Sequence, residues 1–264
     1  MKYVLVTGAY GGMGYKTVKE LASNGYIVFA LDKNVLEREE NVIPIKVDLT
    51  DVESVKCAFQ TVKSITDNLV AVVHFAGFYT LDSLIEIKEE EFDKIFKINL
   101  YSAFYVNKIF KPLIKDGCKI ILTTSELAPL DPLPFTGIYA ITKSALDKYA
   151  FSLKMELQLL GVNVCVIRAG AVSTGMLGVS TTALDKFCEN TTIYQCNAER
   201  FRKIVNSVES KSIPPQKIAE KVLKILKSKK PKFIYNMNRN KLLLLLNSLP
   251  KRMQFKIIKQ ILKK

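Results

Sequence analysis

Short apolar runs alternate with longer amphipathic runs along most of this chain. Runs of strand length lie at residues 3–6, 27–31, 42–47, 69–73, 120–123, 162–167 and 233–235. Helical spacing of apolar residues predicts the main helices between them at residues 12–24, 90–111, 139–160 and 214–228. Strands that alternate with helices are typical of βαβ units. The pattern therefore predicts an α/β fold with a doubly wound parallel sheet covered by helices on both faces.

Two segments depart from this rhythm. Residues 173–212 lack a clear strand and follow the carboxyl end of a predicted strand, so they are expected to form a helical lid over a ligand crevice. Near the C-terminus, apolar residues recur at helical spacing with lysines on the opposite face, which predicts amphipathic helices. The expected layout is one domain, with a core at 1–235 that includes the lid and a basic extension at 236–264.

Composition narrows the class of protein. A chain of 264 residues with 48% hydrophobic content can bury one large core, so a second domain is not needed. Five scattered cysteines and a single histidine argue against a disulfide framework and against a zinc site. No leader-like segment precedes the first strand, and no apolar run reaches the roughly 18 residues that span a bilayer. A soluble, cytoplasmic protein is expected.

Positive charge is concentrated at one end of the chain. The formal net charge is +14, and residues 217–264 hold fifteen Lys/Arg against a single acid, Glu220, so the rest of the chain is neutral. Two interpretations stay open: helices that wall a substrate site, or reversible attachment to an anionic membrane surface. Nucleic-acid binding is not expected, because no recognition motif or aromatic stacking platform accompanies the basic residues.

A glycine-rich turn, TGAYGGMG at residues 7–14, joins the first strand to the first helix. The N–H groups and the positive dipole end of that helix suit a pyrophosphate in front of Gly12 and Gly14. The spacing of Gly8, Gly12 and Gly14 is not G-x-G-x-x-G, and no G-K-[ST] follows. A tight turn without a ligand is the alternative.

Two acids end neighbouring strands. Asp32 lies eighteen residues after Gly14, close to the offset of about 20 residues at which an acid binds the ribose hydroxyls of a dinucleotide. Asp48 ends the third strand in KVDLTD. There, a helix-capping role for the segment and a ligand-binding role have equal support.

A tyrosine and a lysine stand four residues apart in YAITK, at residues 139–143. At this spacing Tyr139 and Lys143 share one face of a helix, so the ammonium is expected to lower the pKa of the phenol toward neutral pH. Such a tyrosine can act as a general acid or base. The preceding predicted strand ends in Thr123-Thr124-Ser125, which brings a hydroxyl to the same sheet edge.

In order and spacing, TGAYGGMG, VDL, HFAG, INL, TTSELAP, YAITK and IRAGAVST resemble the short-chain dehydrogenase/reductase family in its single-domain branch. The resemblance implies a Rossmann fold and hydride transfer with a nicotinamide cofactor. Tyr139 would exchange a proton with the substrate oxygen, Lys143 would assist it and bind the nicotinamide ribose, and Ser125 would bind the substrate oxygen. Asn99 would hold a water in a proton relay, or would instead satisfy neighbouring backbone groups.

The resemblance also implies a cofactor site. Asp32 favours NAD, because its carboxylate accepts from both ribose hydroxyls and repels a 2′-phosphate, and Gly11 stands where NADP users often carry a basic residue. Lys33 leaves NADP open. The implied cofactor-binding residues are Gly8, Tyr10, Gly12, Met13, Gly14, Asp32, Asp48, Leu49, Ala76, Gly77, Tyr139, Lys143, Gly170 and Thr174.

Two departures from the family pattern bear on the site. The family's Asn-Asn-Ala-Gly reads His74-Phe75-Ala76-Gly77 here, and we interpret His74 as structural. The usual serine-to-tyrosine spacing of thirteen residues leads from Tyr139 back to Glu126, whereas Ser125 is fourteen back. We choose Ser125, because a carboxylate cannot donate the hydrogen bond that a developing alkoxide needs.

The sequence thus predicts an NAD(P)-dependent oxidoreductase that interconverts a secondary alcohol and a ketone, or an alcohol and an aldehyde, on an apolar, steroid- or lipid-like substrate. Two alternatives remain: a dinucleotide-binding regulatory or membrane-surface module without turnover, and a sugar-nucleotide-modifying enzyme. Family members commonly form homo-oligomers through the helices that correspond to residues 90–111 and 139–160, so a homo-oligomer is expected.

Overall fold

Seven parallel strands form a single sheet in the order β3-β2-β1-β4-β5-β6-β7. The computed structural model describes residues 1–209 and 211–263, without the side chains of 175–182 and 206–209. The strands are β1 (Tyr3–Thr7), β2 (Ile27–Asp32), β3 (Val42–Lys46), β4 (Leu69–His74), β5 (Ile114–Ser125), β6 (Asn163–Ala169) and β7 (Ile234–Met237). The sequence prediction of an α/β fold with a doubly wound parallel sheet is confirmed.

Helices cover both faces of the sheet. The α-helices are α1 (Gly12–Ser23), α2 (Val52–Lys63), α3 (Glu89–Phe96), α4 (Ser102–Ile109), α5 (Gly137–Leu157), α6 (Gly175–Asn190), α7 (Gln195–Glu209), α8 (Gln216–Lys227), α9 (Lys241–Ser248) and α10 (Lys251–Leu262). Helices α2, α4 and α5 pack on one face and α1 and α8 on the other. Side chains of a strand alternate between the faces, so Leu5 joins one core and Val4 and Val6 the other. No helix in the described parts of the chain is long and apolar enough to cross a membrane.

The chain reverses its direction of travel across the sheet at β1. Strands β2 and β3 extend from β1 on one side, whereas β4 to β7 extend on the other. The connections after β1 and β4 therefore diverge and leave a crevice at the carboxyl ends of these two strands, where doubly wound sheets bind ligands. The glycine turn follows β1 at this point.

The long helix expected at residues 90–111 is interrupted. Helices α3 and α4 are joined by a π-helical turn at Lys97–Tyr101, which places Asn99 in the buried interior. A π turn accommodates one extra residue and is often found at functional sites. The hydrophobic periodicity could not reveal it, because apolar residues continue through the turn.

The segment expected to form the lid, residues 173–212, packs against the C-terminal extension. Residues 173–212 contain α6 and α7, and Leu262 of α10 is buried against Leu184, Phe187 and Phe201 from these two helices. The amphipathic helix expected near the C-terminus is thus present as α10, and its apolar face is partly used in packing within the chain.

Candidate active site

The glycine turn is shaped by close approaches within the chain itself. Gly8 has a φ of +62°, in the left-handed region that favours glycine. A Cβ at Gly8 would lie 2.6 Å from the backbone nitrogen of Ala76, and one at Gly14 would lie 2.0 Å from the carbonyl oxygen of Gly8. Side chains are therefore excluded here by neighbouring backbone, and this compact turn leaves the N-terminus of α1 open to the crevice.

A large cleft lies in front of this turn at the carboxyl edge of β1 to β4. Its volume is about 1020 Å³. Its lining includes eleven of the residues expected at a cofactor site: Gly8, Tyr10, Gly12, Met13, Gly14, Asp32, Asp48, Leu49, Ala76, Gly77 and Thr174. A helix N-terminus beside a carboxylate suits the phosphates and ribose hydroxyls of a dinucleotide, so the lining fits such a cofactor.

The two strand-end acids have different surroundings. Asp32 Oδ2 accepts a hydrogen bond from the backbone N–H of Tyr10 at 2.9 Å, which fixes the carboxylate at the edge of the cleft. Asp48 Oδ1 accepts from the Thr50 hydroxyl and backbone N–H, and these bonds hold the pKa of Asp48 below its usual value. Lys33 Nζ lies 3.1 Å from Asp48 Oδ2. The cap of α2 comes from Asp51, so Asp48 lines the cleft without capping that helix.

A second, smaller cavity of about 200 Å³ adjoins this cleft and contains the expected catalytic hydroxyls. Ser125 ends β5, Tyr139 lies in the first turn of α5, and both side chains line this cavity. Glu126, at the spacing usual in the family, turns its Oε2 to the backbone N–H of Asn240. The structure thus brings Ser125 and Tyr139 into the same cavity, whereas the Glu126 carboxylate is bound to the C-terminal segment.

Lys143 lies one helical turn after Tyr139 and is also buried. Its Nζ donates to the carbonyl oxygen of Thr123 at 3.3 Å and is 5.8 Å from the centroid of the Tyr139 ring. Burial lowers the pKa of Lys143 to about 8. Burial likewise raises the pKa of Tyr139 to about 12, only partly offset by the hydrogen bond with Ser125.

The expectation that Lys143 lowers the pKa of the Tyr139 phenol is therefore wrong for the chain by itself. Desolvation by burial is the largest influence on the pKa of Tyr139, and it disfavours the phenolate. The phenol is consequently protonated at neutral pH and can donate a proton to an oxygen that gains negative charge.

Asn99 lies in the π-helical turn between α3 and α4 and is 1% exposed. Its Oδ1 accepts from the backbone N–H of Phe78 at 2.6 Å, and its Nδ2 donates to the Phe78 carbonyl at 2.9 Å and to Thr142 Oγ1 at 3.0 Å. These bonds correspond to the second of the two roles considered for Asn99, in which it satisfies neighbouring backbone groups.

Comparisons with known proteins agree with this geometry. A family model described as short chain dehydrogenase matches residues 2–185. The chain belongs to the short-chain dehydrogenase family. It is 30% identical over 241 residues to the uncharacterized oxidoreductase YbbO of Escherichia coli, covering 89% of this chain and 84% of that one.

Two further relatives extend the likeness. A 3-ketodihydrosphingosine reductase of Bacteroides thetaiotaomicron is 24% identical over 231 residues, with 87% of this chain and 85% of that one covered. A short chain dehydrogenase family protein from Francisella tularensis superposes with a TM-score of 0.74 at 25% identity, covering 90% of this chain and 96% of that one. The protein is thus an oxidoreductase of the short-chain dehydrogenase/reductase type, a family that binds NAD(P)(H) and acts on small molecules.

The segment that departs from the family pattern packs in the interior. His74 is 4% exposed, and burial lowers the pKa of its imidazole to about 4, so the ring is neutral. Its Nε2 lies 2.9 Å from Asn107 Oδ1, and Asn107 Nδ2 in turn donates to the Tyr149 hydroxyl. This agrees with the structural interpretation of His74, which braces β4 against α4 and α5.

Several cavity residues were not identified from the sequence. Tyr79 contacts Tyr139 edge-on, with ring centroids 4.7 Å apart. Phe201 from α7 and Leu243 from α9 complete the apolar lining around the hydroxyls, together with Gly170, which was expected at the cofactor site. A Cβ at Gly170 would lie 2.0 Å from the Asn238 carbonyl oxygen, so the C-terminal segment approaches the cavity closely. Such contacts between distant chain segments leave no local sequence signal.

Proposed function

We propose that this enzyme interconverts a secondary alcohol and a ketone on an apolar substrate, with NAD as the preferred cofactor. The observation that carries the proposal is that Ser125 and Tyr139 line one mostly apolar cavity beside the cleft whose lining fits a dinucleotide. A carbonyl group bound there would meet two hydroxyl donors, while the rest of the substrate would contact hydrocarbon side chains.

In the reductive direction, the nicotinamide would supply a hydride to the carbonyl carbon. Ser125 donates a hydrogen bond to the carbonyl oxygen, which stabilises the negative charge that develops there. Tyr139 transfers its phenolic proton to the same oxygen, so the C=O double bond becomes a C–OH group. The Lys143 ammonium lies close enough to the Tyr139 ring to stabilise the transient phenolate. In oxidation the same groups act in reverse.

The preference for NAD rests on two contacts in the cleft. Asp32 is held at the end of β2 by the Tyr10 backbone N–H and lines the cleft, where its carboxylate would accept from ribose hydroxyls and repel a 2′-phosphate. Lys33, the residue that left NADP open, is paired with Asp48. Its charge is therefore partly neutralised and is less available to a 2′-phosphate.

The apolar substrate class is supported by the cavity and by one relative. Phe75, Leu127, Leu133, Val172 and Leu243 are among the cavity's lining residues. The related protein from Bacteroides thetaiotaomicron is named a reductase of 3-ketodihydrosphingosine, a lipid ketone. A polar sugar nucleotide would find few hydrogen-bonding partners among these side chains.

Two associations are part of the proposal. Large apolar side chains are exposed on α4 and α5, including Phe104, Phe151 and Met155, as expected if these helices form an interface between copies of the chain. The basic outer face of α10 is proposed to touch anionic membrane surfaces, close to the side of the molecule where α9 lines the cavity.

A substrate panel tests the function. Oxidation of NADH would be followed at 340 nm with ketones of increasing hydrophobicity and, as the polar competitor, with a nucleotide-linked keto sugar. We expect kcat/KM to rise with hydrophobicity of the ketone. Turnover of the keto sugar alone, or of no carbonyl compound at all, would contradict the proposal.

A further inference from the structure

A further cavity, here called the outer chamber, adjoins the catalytic cavity of about 200 Å³ that contains Ser125 and Tyr139. It has a volume of about 350 Å³, and Leu127, Leu133 and Leu243 line both spaces. The outer chamber is bounded by the loop after β5, by α9 and by α10, with Leu130, Leu246 and Ile258 among its walls. The three shared leucines therefore stand at the junction between the catalytic hydroxyls and this outer chamber.

Several polar groups that line the outer chamber already have partners within the chain. Asp131 forms an ion pair with Lys251, and its backbone N–H donates to Asn247 Oδ1 at 2.8 Å. The side-chain nitrogen of Gln254 donates to the carbonyl oxygens of Leu249 and Asn247. Since these groups already have partners, a ligand in the chamber gains mainly from contact with hydrocarbon walls.

The volumes of the two cavities indicate that a substrate would occupy both of them. Small-molecule sites commonly measure about 300–1,000 Å³, and the catalytic cavity, at about 200 Å³, is below this range. Together with the outer chamber it falls within the range. A leucine side chain can change rotamer to open a narrow passage, which a flexible chain can thread but a rigid fused-ring system cannot.

We infer that the outer chamber binds the hydrocarbon chain of a single-chain lipid whose ketone or hydroxyl group lies at Ser125 and Tyr139. This inference deepens the proposed function, on which it rests for the position of the reacting carbon. The ligand class is thus a flexible alkyl or acyl chain that carries one oxygen function, with its far end between α9 and α10.

Equilibrium binding of a homologous series of methyl ketones, from 2-hexanone to 2-dodecanone, tests the chamber by isothermal titration calorimetry without any need for turnover. Each added methylene that enters apolar surroundings is expected to lower Kd about fourfold. The gain should continue until the chamber is filled and then stop. If Kd does not change with chain length, or if a rigid steroid ketone binds more tightly than every member of the series, the inference is overturned.

Two variants locate the chain. Leu130→Trp in the loop after β5 and Leu246→Trp on α9 each place an indole in the lining of the chamber. Each should therefore stop the fall in Kd at a shorter ketone than in the unaltered protein. The matched control is Leu242→Trp on the same helix as Leu246, at a side chain 72% exposed, which should leave the series unchanged. Circular dichroism would confirm folding of each variant. An unchanged series in a folded chamber variant would contradict the inference.

Measuring turnover of the same ketones with NADH distinguishes a failure of the outer-chamber inference from a failure of the proposed function. Binding that depends on chain length, without turnover of any ketone, would support the chamber and contradict the proposed function. Turnover of ketones whose Kd is independent of chain length would support the proposed function and overturn the chamber.

Discussion

At the scale of single residues, burial governs the chemistry of the site. The phenol of Tyr139 and the ammonium of Lys143 are both removed from water. Because desolvation favours the neutral form of each group, it raises the pKa of Tyr139 and lowers the pKa of Lys143. The motif YAITK located both groups in the sequence, but the direction of the tyrosine shift could not be predicted. It depends on how completely the surrounding loops exclude water.

Lys143 should make stability depend on pH. Its pKa is about 8 in the folded chain and near the ordinary value of 10.5 in the unfolded chain. Between these values the unfolded chain holds a proton that the folded chain has released, so this contribution to stability rises with pH. From pH 7.5 to 9.5 the protein should gain about 2 kcal/mol relative to Lys143→Met, measured by urea unfolding. An equal response of the two proteins to pH would contradict the burial of a titrating Lys143.

Asp32 should decide the choice of cofactor. In Asp32→Ala the repulsion of a 2′-phosphate is lost together with the acceptor for the ribose hydroxyls. The ratio of the Kd for NADPH to that for NADH should therefore fall at least about tenfold, measured by fluorescence titration. The matched control is Asp67→Ala, an exposed carboxylate far from the cleft, which should leave the ratio unchanged. An unaltered ratio in Asp32→Ala would show that cofactor choice is made elsewhere.

At the scale of elements, the carboxyl ends of β5 and β6 are tied to α5. Arg168 Nε and Nη2 donate to the two carboxylate oxygens of Asp147, at 2.9 and 2.6 Å, and the Thr124 hydroxyl donates to Asp147 Oδ1. Asp147 thereby fixes α5, which carries Tyr139, against β6 through Arg168 and against β5, which carries Ser125, through Thr124. In the sequence, Asp147 is one of several charged residues on a predicted helix and gives no sign of its partner on β6.

Removal of this carboxylate should destabilise the fold. Asp147→Ala leaves Arg168 without its partner in a largely buried position, and we expect a loss of about 3–5 kcal/mol in the free energy of unfolding. Chemical denaturation would measure it. Asp67→Ala, which removes the exposed ion pair with Lys115, should cause no measurable change. Similar results for both variants would contradict the structural role assigned to Asp147.

Some element boundaries were predictable and others were not. Strands β1 and β2 agree with their apolar runs to within one residue. Strand β5 is much longer than the predicted residues 120–123 because the polar residues 115–117 still continue the strand, with an irregular register against β4. Hydrophobic periodicity detects burial, so it misses strand residues that project from the core.

At the scale of the whole molecule, the basic C-terminal region both packs against helices α6 and α7 and forms an outer surface. Leu262 is buried against the lid, while Arg252, Lys256 and Lys259 on the opposite face of α10 are exposed. The sequence left packing and membrane contact as alternatives. The structure establishes the packing, and the outer face retains the charge pattern that favours anionic surfaces. The outer chamber could not be predicted, because its walls come from segments more than a hundred residues apart.

Charge reversal tests the membrane contact without disturbing the packed face. The triple variant Arg252→Glu, Lys256→Glu and Lys259→Glu should bind vesicles of phosphatidylglycerol and phosphatidylcholine at least tenfold more weakly, measured by co-sedimentation. Binding of the unaltered protein should weaken as salt is raised. A control triple of equal charge change on the opposite part of the molecule, at Lys46, Lys56 and Lys63, should bind as before. Vesicle binding that does not change with salt concentration, or an equal loss of vesicle binding in both triple variants, would contradict the membrane contact.

The central claim is that Tyr139 delivers the proton in a hydride transfer between NADH and an apolar ketone. The most direct measurement is single-turnover oxidation of enzyme-bound NADH by a long-chain methyl ketone in the unaltered protein and in Tyr139→Phe. The account predicts that the variant binds NADH with unchanged Kd and oxidises it at least about a hundredfold more slowly, because only the phenolic oxygen is removed. Oxidation at the same rate in both proteins would contradict the account.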